Sequence, residues 1–466
     1  MQIPILNGIY TDEAADFRTS YPRNLVPVPK EQGVSKGYLR PAPGIVSAGV
    51  GPGVDRGGIN WNGVHYRVMG TSLIAIASNG AWRILGDVGG TGQVTFDYSF
   101  DNLAIASSGR LFYWSNTALT EVTDADLGTV VDVLWVDGYF MTTDGTSLVV
   151  TELNDPYSVN PLKYGSSEAD PDPIKGIVKL RNEVYAVNRY TIEVFDNIGG
   201  DLFPFSRIEG AQMQRGAIGT FSVAVFAQAI AFVGSGRNES PAVWLGLNSQ
   251  LTKISTREID QILKGYSEAD LATIVVEAKV DENHQHLMIH LPDQTLVYDA
   301  SATEAISEPV WFVLTSSLVG TGQYRAKNLV WCYDQWYVGD PTTHNFGKLV
   351  DTVSSHYGDV IGWDFGTQIL YNDGMGAIIH ELELVCLSGR VPVGEDPTIW
   401  TSYSLDGEVW SMEKPRKTGK IGERNVRISW LQQGSMRHWR IQKFRGTSDS
   451  FLTMARLEAR LEALYV

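Results

Sequence analysis

The sequence predicts a mostly β protein, with a β-propeller-like body, an extended N-terminal arm, a short helical insertion and a small C-terminal β-sandwich-like domain. Three observations carry this. Short alternating runs rich in Val, Ile, Tyr, Phe and Trp are punctuated by 47 glycines and 19 prolines, the pattern of strands joined by turns. A hairpin pattern recurs along the chain at the spacing of propeller blades. At 466 residues the chain is also too long for one ordinary core, which calls for repeats or for several domains.

The first 50 residues read as the arm. SYPRNLVPVPKEQGVSKGYLRPAPGI places Pro22, Pro27, Pro29, Pro41 and Pro43 in one segment, a density that rules out helix and favours extended backbone. Tyr21, Leu25, Val26, Val28, Tyr38 and Leu39 give it apolar surface with which to pack, so it is a strap and not a polar linker.

Residues 51–370 read as the propeller-like domain. Hairpin-like copies begin at NGVHYRVMGTSLIAI (62), DNLAIASSGRLFYWS (101), DGYFMTTDGTSLVVTEL (137), NEVYAVNRYTIEVFDN (182), QAIAFVGSGRNESPAVWLG (228), NHQHLMIHLPDQTLVYDA (283) and DQWYVGDPTTHNFGKLVD (334), so neighbouring copies lie 36 to 55 residues apart. One blade cannot bury both its faces, and stacking around an axis completes the core. The competing arrangement is an array of two-sheet β-sandwiches. A helical insertion at about 255–276 interrupts the pattern: STREIDQILK offers Ser255 as N-cap with Glu258 three residues on and an Ile259, Ile262, Leu263 stripe, and Ser267 with Asp270 offers a second cap.

Residues 371–466 read as the C-terminal β domain. Its last segment, SFLTMARLEARLEALYV, would as a helix set Arg456 against Arg460 and Glu458 against Glu462. As a strand it puts Leu457, Ala459, Leu461 and Ala463 on one face and the charges on the other, and the strand is the reading preferred.

The chemistry-bearing residues are few. HQHLMIHLPDQTLVYDA (284–300) holds His284, His286 and His290 on one strand parity, the arrangement in which a His-x-His pair holds zinc. A metal site needs further ligands and outer support. The expectation is therefore a polar strand face opposite a buried Leu287, Ile289, Leu291 face, with His290 near the surface and no metal. The glycine-rich stretches GVGPGVDRGG and DVGGTGQ lack the G-K-[ST] end of a phosphate loop and read as turns. Asp170 with Asp172, and Asp359 with Asp364, are the carboxylate pairs a glycosidase would need. Trp400 and Trp410 are expected as buried strand tryptophans. Cys332 and Cys386 are expected as buried free thiols. No catalytic, cofactor-binding or metal residue is assigned, and no enzyme is expected.

With 37 basic against 53 acidic residues, a net charge of −16, the chain has no basic stripe with which to wrap nucleic acid. Its N-terminus has neither the charged nor the apolar region of a signal peptide, and no run is long and apolar enough to span a bilayer. A soluble protein made in the cytoplasm is expected.

SYPRNLVPVPKE, GYLRPAPGI, GVDRGG, GDVGGTGQV, MQRGAIGTF, STREIDQILKGYSEADLAT and HLMIHLPDQTLVYDAS followed by VWFVL occur in that order. As a set they resemble the packaged-DNA stabilisation proteins of short-tailed bacteriophages, the tail hub or tail nozzle proteins, from about residue 20 to about 315. The resemblance implies a structural protein of the virion tail. It implies a homo-hexameric ring below portal and adaptor that continues the DNA channel, retains the packaged genome and guides its ejection. The implied partners are the adaptor, a needle or plug, fibres or spikes, and duplex DNA in non-specific passage. Six copies at −16 would carry 6 × −16 = −96, a charge that would let duplex slide past an acidic lumen. The alternatives are a receptor- or glycan-binding tail component on a propeller, or a glycoside hydrolase.

Overall fold

A computed structural model describes residues 2–6, 9–11, 18–30, 37–281, 284–372 and 375–464; parts of the expected arm, including 12–17 and 31–36, lie outside the described residues. Among the described residues, seven antiparallel sheets stand in a ring, with their first strands at 55–61, 95–98, 132–136, 174–180, 223–226, 275–281 and 327–332. Each hairpin copy read from the sequence is the middle pair of a blade, its second and third strands, as Val64–Met69 with Ser72–Ile76 in blade one or His284–His290 with Thr295–Asp299 in blade six. The middle strands are packed on both faces and flanked by tight turns, so they carry the strongest pattern.

Between consecutive blades lies a separate apolar core. Trp61, Tyr66, Leu103, Ile105 and Phe112 fill the gap between blades one and two, and Leu134, Met141, Ile177, Val184 and Phe195 that between blades three and four. Each large side chain so buried contributes roughly 1.5–3 kcal/mol. The ring is closed by a strand from the other end of the chain: Gly44–Val50 pairs antiparallel with Asn345–Val350 as the fourth strand of blade seven. Closure across 300 residues of chain locks the first blade to the last.

The residues expected as an arm are extended, yet they are built into both bodies. Leu25–Pro29 and Gly37–Pro41 form a hairpin at the edge of a sandwich sheet that continues through Thr453–Ala463, Ala377–Leu387 and Ile428–Leu431. The facing sheet holds Gly362–Gly366, Trp439–Thr447, Thr398–Ser404 and Lys414–Lys417. Leu25, Leu39, Trp363, Phe365, Trp430, Phe444 and Leu457 share one core between the sheets. The last segment is a strand with Leu457 and Ala459 buried and Arg460 exposed, as its alternation requires.

Propeller and sandwich are stitched at Arg23 and Asn24. The Arg23 N–H donates to Asp364 O (2.9 Å) and the Asn24 N–H to Val313 O of blade six (2.8 Å). The Arg23 guanidinium reaches Asp364 at 2.6 Å, and Asn24 Nδ2 donates to Gly362 O at 2.7 Å.

The helical insertion is smaller than its expected span. It comprises Arg257–Lys264 and Glu268–Leu271; Val275–Asp281 is already the first strand of blade six. Thr256, not Ser255, caps the first helix by accepting the Ile259 N–H, while Ser255 Oγ donates to Asp260 at 2.6 Å. Ser267 caps the second as expected. A third helix, Ala300–Ile306, follows Asp299, whose carboxylate caps it; it lies outside the expected elements because Asp299 ends a strand and begins the helix without an intervening turn signal.

Candidate functional site

Three of the segments that carried the family resemblance, GVDRGG, GDVGGTGQV and MQRGAIGTF, are joints between blades. In GVDRGG, Asp55 Oδ1 accepts from Arg67 at 2.7 Å and Asp55 Oδ2 from Asn328 at 2.6 Å, while Arg67 also donates to Asn328 O at 2.8 Å. These buried groups tie blade one to blade seven. Burial pushes the Asp55 carboxyl up against the pull of Arg67, the mark of a pair held together by its surroundings. The neighbouring Arg56 reaches blade two, donating to Gly92 O (2.6 Å), Gly89 O (2.7 Å), Gly70 O (2.9 Å) and Ser107 Oγ (2.8 Å). Gly89 and Gly92 belong to DVGGTGQ. The loop therefore presents carbonyl oxygens to a cation, the opposite of the convergent N–H groups a phosphate needs.

MQRGAIGTF plays the same part between blades four and five. A Cβ on Gly216 would stand 2.1 Å from Asn188 O, and one on Gly219 2.2 Å from Ala272 O, so only glycine lets these backbones approach. Arg215 grips Glu239 through two bonds of 2.8 and 2.9 Å and lies over the Trp244 ring.

The three histidines are all buried, contrary to the expected polar face and to a surface position for His290. A propeller blade packs on both faces: Leu287, Ile289 and Leu291 point toward blade five, and the histidine face toward blade seven and the strap, alongside Met288 and Phe312. The trio also divides. His290 is held by Glu277 (2.9 Å) and Thr295 (3.0 Å). His284 Nδ1 lies 2.5 Å from Asp299 Oδ2, and His286 Nε2 lies 3.4 Å from the same oxygen. Burial acts to raise the Asp299 carboxyl, but His284, His286 and the Ala302 N–H outweigh it and hold the acid below the usual carboxylate range. Burial pushes His286 down against the pull of Asp299. Asp299 was not singled out in the sequence; its place directly across the ladder from His286 could have been found only by pairing the two strands.

Along the propeller axis, carboxylates of first strands accept backbone N–H groups of the next blade. Asp97 takes Trp135 N–H at 2.6 Å, Asp132 takes Ile177 N–H at 2.9 Å, and Glu277 takes Leu329 N–H at 3.0 Å. Burial raises the Asp132 carboxyl to about 7. The space they border, lined by Gly58, Phe96, Asp132, Ile177, Val225 and Glu277 among others, measures about 430 Å³, the scale of a small-molecule pocket. A duplex whose major groove alone is about 12 Å wide does not fit there.

The paired acids do not face each other across a cleft. Asp170 pairs with Arg237 (2.9 Å) and Asp172 accepts Tyr190 and Thr191 N–H groups (2.6 and 3.1 Å); Asp359 pairs with Arg325 (2.7 Å) and Asp364 with Arg23. Trp400 and Trp410 are half-buried, not buried, because Arg445 and Lys443 cover their ring faces at 4.5 and 5.8 Å. Cys332 is a buried free thiol; Cys386 is free and half-buried, its thiol pushed by burial up to about 12.

Comparison with known proteins agrees with this architecture. A family model described as the β-propeller of bacteriophage P22 Gp10 matches residues 1–354, and one described as the β-sandwich of the same protein matches residues 362–462. The tail hub protein gp10 of Salmonella phage P22 is 29% identical over 484 residues, covering 99% of each chain. Among solved structures, the Neurospora crassa Pan2 WD40 domain aligns with a TM-score of 0.42 at 11% identity over 66% of this chain and 94% of its own. PorZ of the Porphyromonas gingivalis type-IX secretion system aligns with a TM-score of 0.40 at 11% identity over 81% and 46%.

Proposed function

Because the chain belongs to the bacteriophage P22 Gp10 family through both its propeller and its sandwich, and is thus a structural component of a phage tail, we propose that it is the tail's nozzle. Six copies form a ring below the portal and adaptor, extend the DNA channel, hold the packaged genome and guide its ejection. The observation that carries this reading is the end-to-end correspondence with a tail hub protein, 99% of each chain in one alignment. The fold supports it. A propeller closed by Gly44–Val50 and bonded to its sandwich at Arg23 is a stiff body, and a ring needs one heterologous interface repeated around an axis. The narrow propeller axis supports a DNA path through the lumen between copies. The role requires no catalysis: the acids considered for hydrolysis are spent on ion pairs and turn bonds.

Mixing the purified chain with adaptor-loaded portal and weighing the product by native mass spectrometry tests the reading. Six chains per portal ring are expected, together with genome-filled heads that leak DNA when the chain is omitted. A chain that stays monomeric beside the adaptor, with heads that keep their DNA without it, refutes the nozzle.

A further inference from the structure

Two histidines and a carboxylate of blade six converge on one point that the proposed tail role leaves unused. His286 and Asp299 are directly opposed on neighbouring strands, and His284 lies two residues along on the same face, so the pleat alone aims the three side chains together. All three are buried, and one donor atom from each lies within 4.8 Å of the other two. His286 Nε2 makes no well-directed hydrogen bond, although its side chain is 6% exposed. Buried polar atoms are rarely left in that state.

We propose that His284 Nδ1, His286 Nε2 and the Asp299 carboxylate bind one divalent transition-metal ion, zinc by the character of the donors. Two imidazole nitrogens and one carboxylate make a three-ligand set with a fourth position open. Bonds of about 2.0–2.2 Å in a tetrahedron set ligand atoms roughly 3.4 Å apart, so the His284 contact has to widen by about 0.9 Å when the ion replaces the shared hydrogen. The His286 separation of 3.4 Å already fits.

The surroundings suit an ion. The second oxygen of Asp299 accepts the Ala302 N–H at 3.0 Å, which orients the carboxylate. Of the cations nearby, Lys279 and Arg40 both face Asp281, at 2.8 and 4.0 Å. A cavity of about 300 Å³, lined by Val28, Lys30, Arg40, His284 and Ala302 among others, reaches His284 between the strap and the third helix. It gives the ion a route in and the fourth position a water. The bound ion joins two strands of blade six to the helix beneath the strap.

The full chain is loaded with zinc chloride, desalted and assayed by inductively coupled plasma mass spectrometry. About one zinc per chain is expected for the wild type, falling below about a tenth in His286→Ala and in Asp299→Asn, the latter keeping an oxygen to cap Ala302. Cobalt(II) should give the visible absorption of a low-coordinate site, and EDTA should lower the melting temperature of the wild type alone. Wild-type protein retaining less than about a tenth of an equivalent, with the cobalt spectrum of the free aqua ion and a melting temperature indifferent to zinc and EDTA, overturns the site.

Discussion

At the scale of single residues, this fold is held by charged groups that the sequence displays but cannot pair. Arg67 and Asp55 are almost wholly buried, with 0% and 1% side-chain exposure. Removing one partner strands the other charge away from water, so Arg67→Ala is expected to cost about 3–5 kcal/mol in chemical denaturation. The exposed Arg110–Glu121 pair, 3.5 Å apart, is the control, and Arg110→Ala should cost under about 1 kcal/mol. Asp132 provides a second test. Its folded value of about 7 exceeds the ordinary 3.8 because it is buried. An acid raised on folding contributes stability that is complete below the unfolded value and lost as pH rises through the folded one. The melting temperature should therefore fall from about pH 4 to about pH 7, and the fall should shrink in Asp132→Asn. An Asp132 carboxyl that titrates near its ordinary value in a carbon-13 NMR titration would refute the argument.

At the scale of elements, legibility followed how locally each element is determined. The seven middle hairpins were readable because each needs only its own alternation and a tight turn. The final strand was readable because like charges at i, i+4 exclude the helix. The fourth strand of blade seven was not: GIVSAGV carries no mark of its partner, and its ladder to Asn345–Val350 depends on closure of the whole ring. The His284–His286–Asp299 convergence was half legible, since the histidines share a parity while the carboxylate arrives from the next strand. If the closing strand locks the ring, a proline within it should unlock only that end. Val46→Pro, opposite Lys348, cannot supply a ladder N–H and distorts the strand. Hydrogen exchange should then accelerate across 345–350 and leave Glu183–Asn188 in blade four unchanged. Equal acceleration in both blades would mean that the ring opens as one unit and that closure is not local to blade seven.

At the scale of the whole molecule, the path of DNA in the proposed nozzle follows from what the propeller axis contains. Asp97, Asp132 and Glu277 are fixed there by backbone N–H groups of neighbouring blades, and about 430 Å³ remains between them. Opening that space to a duplex would break bonds at three blade joints and would set phosphates against carboxylates. With a net charge of −16 per copy, the proposed ring would gain more by keeping duplex at a distance, in a lumen bordered by several copies, where repulsion acts within a Debye length of about 8 Å. In a cryo-electron microscopy map of the genome-filled tail, nucleic-acid density is therefore expected on the symmetry axis of the ring and absent from every propeller axis. Raising the ionic strength should weaken the repulsion and slow ejection from purified virions. Duplex density threading a propeller, with Phe96 and Asp132 displaced, would refute the path, and ejection kinetics indifferent to salt would remove the electrostatic part while leaving the path intact.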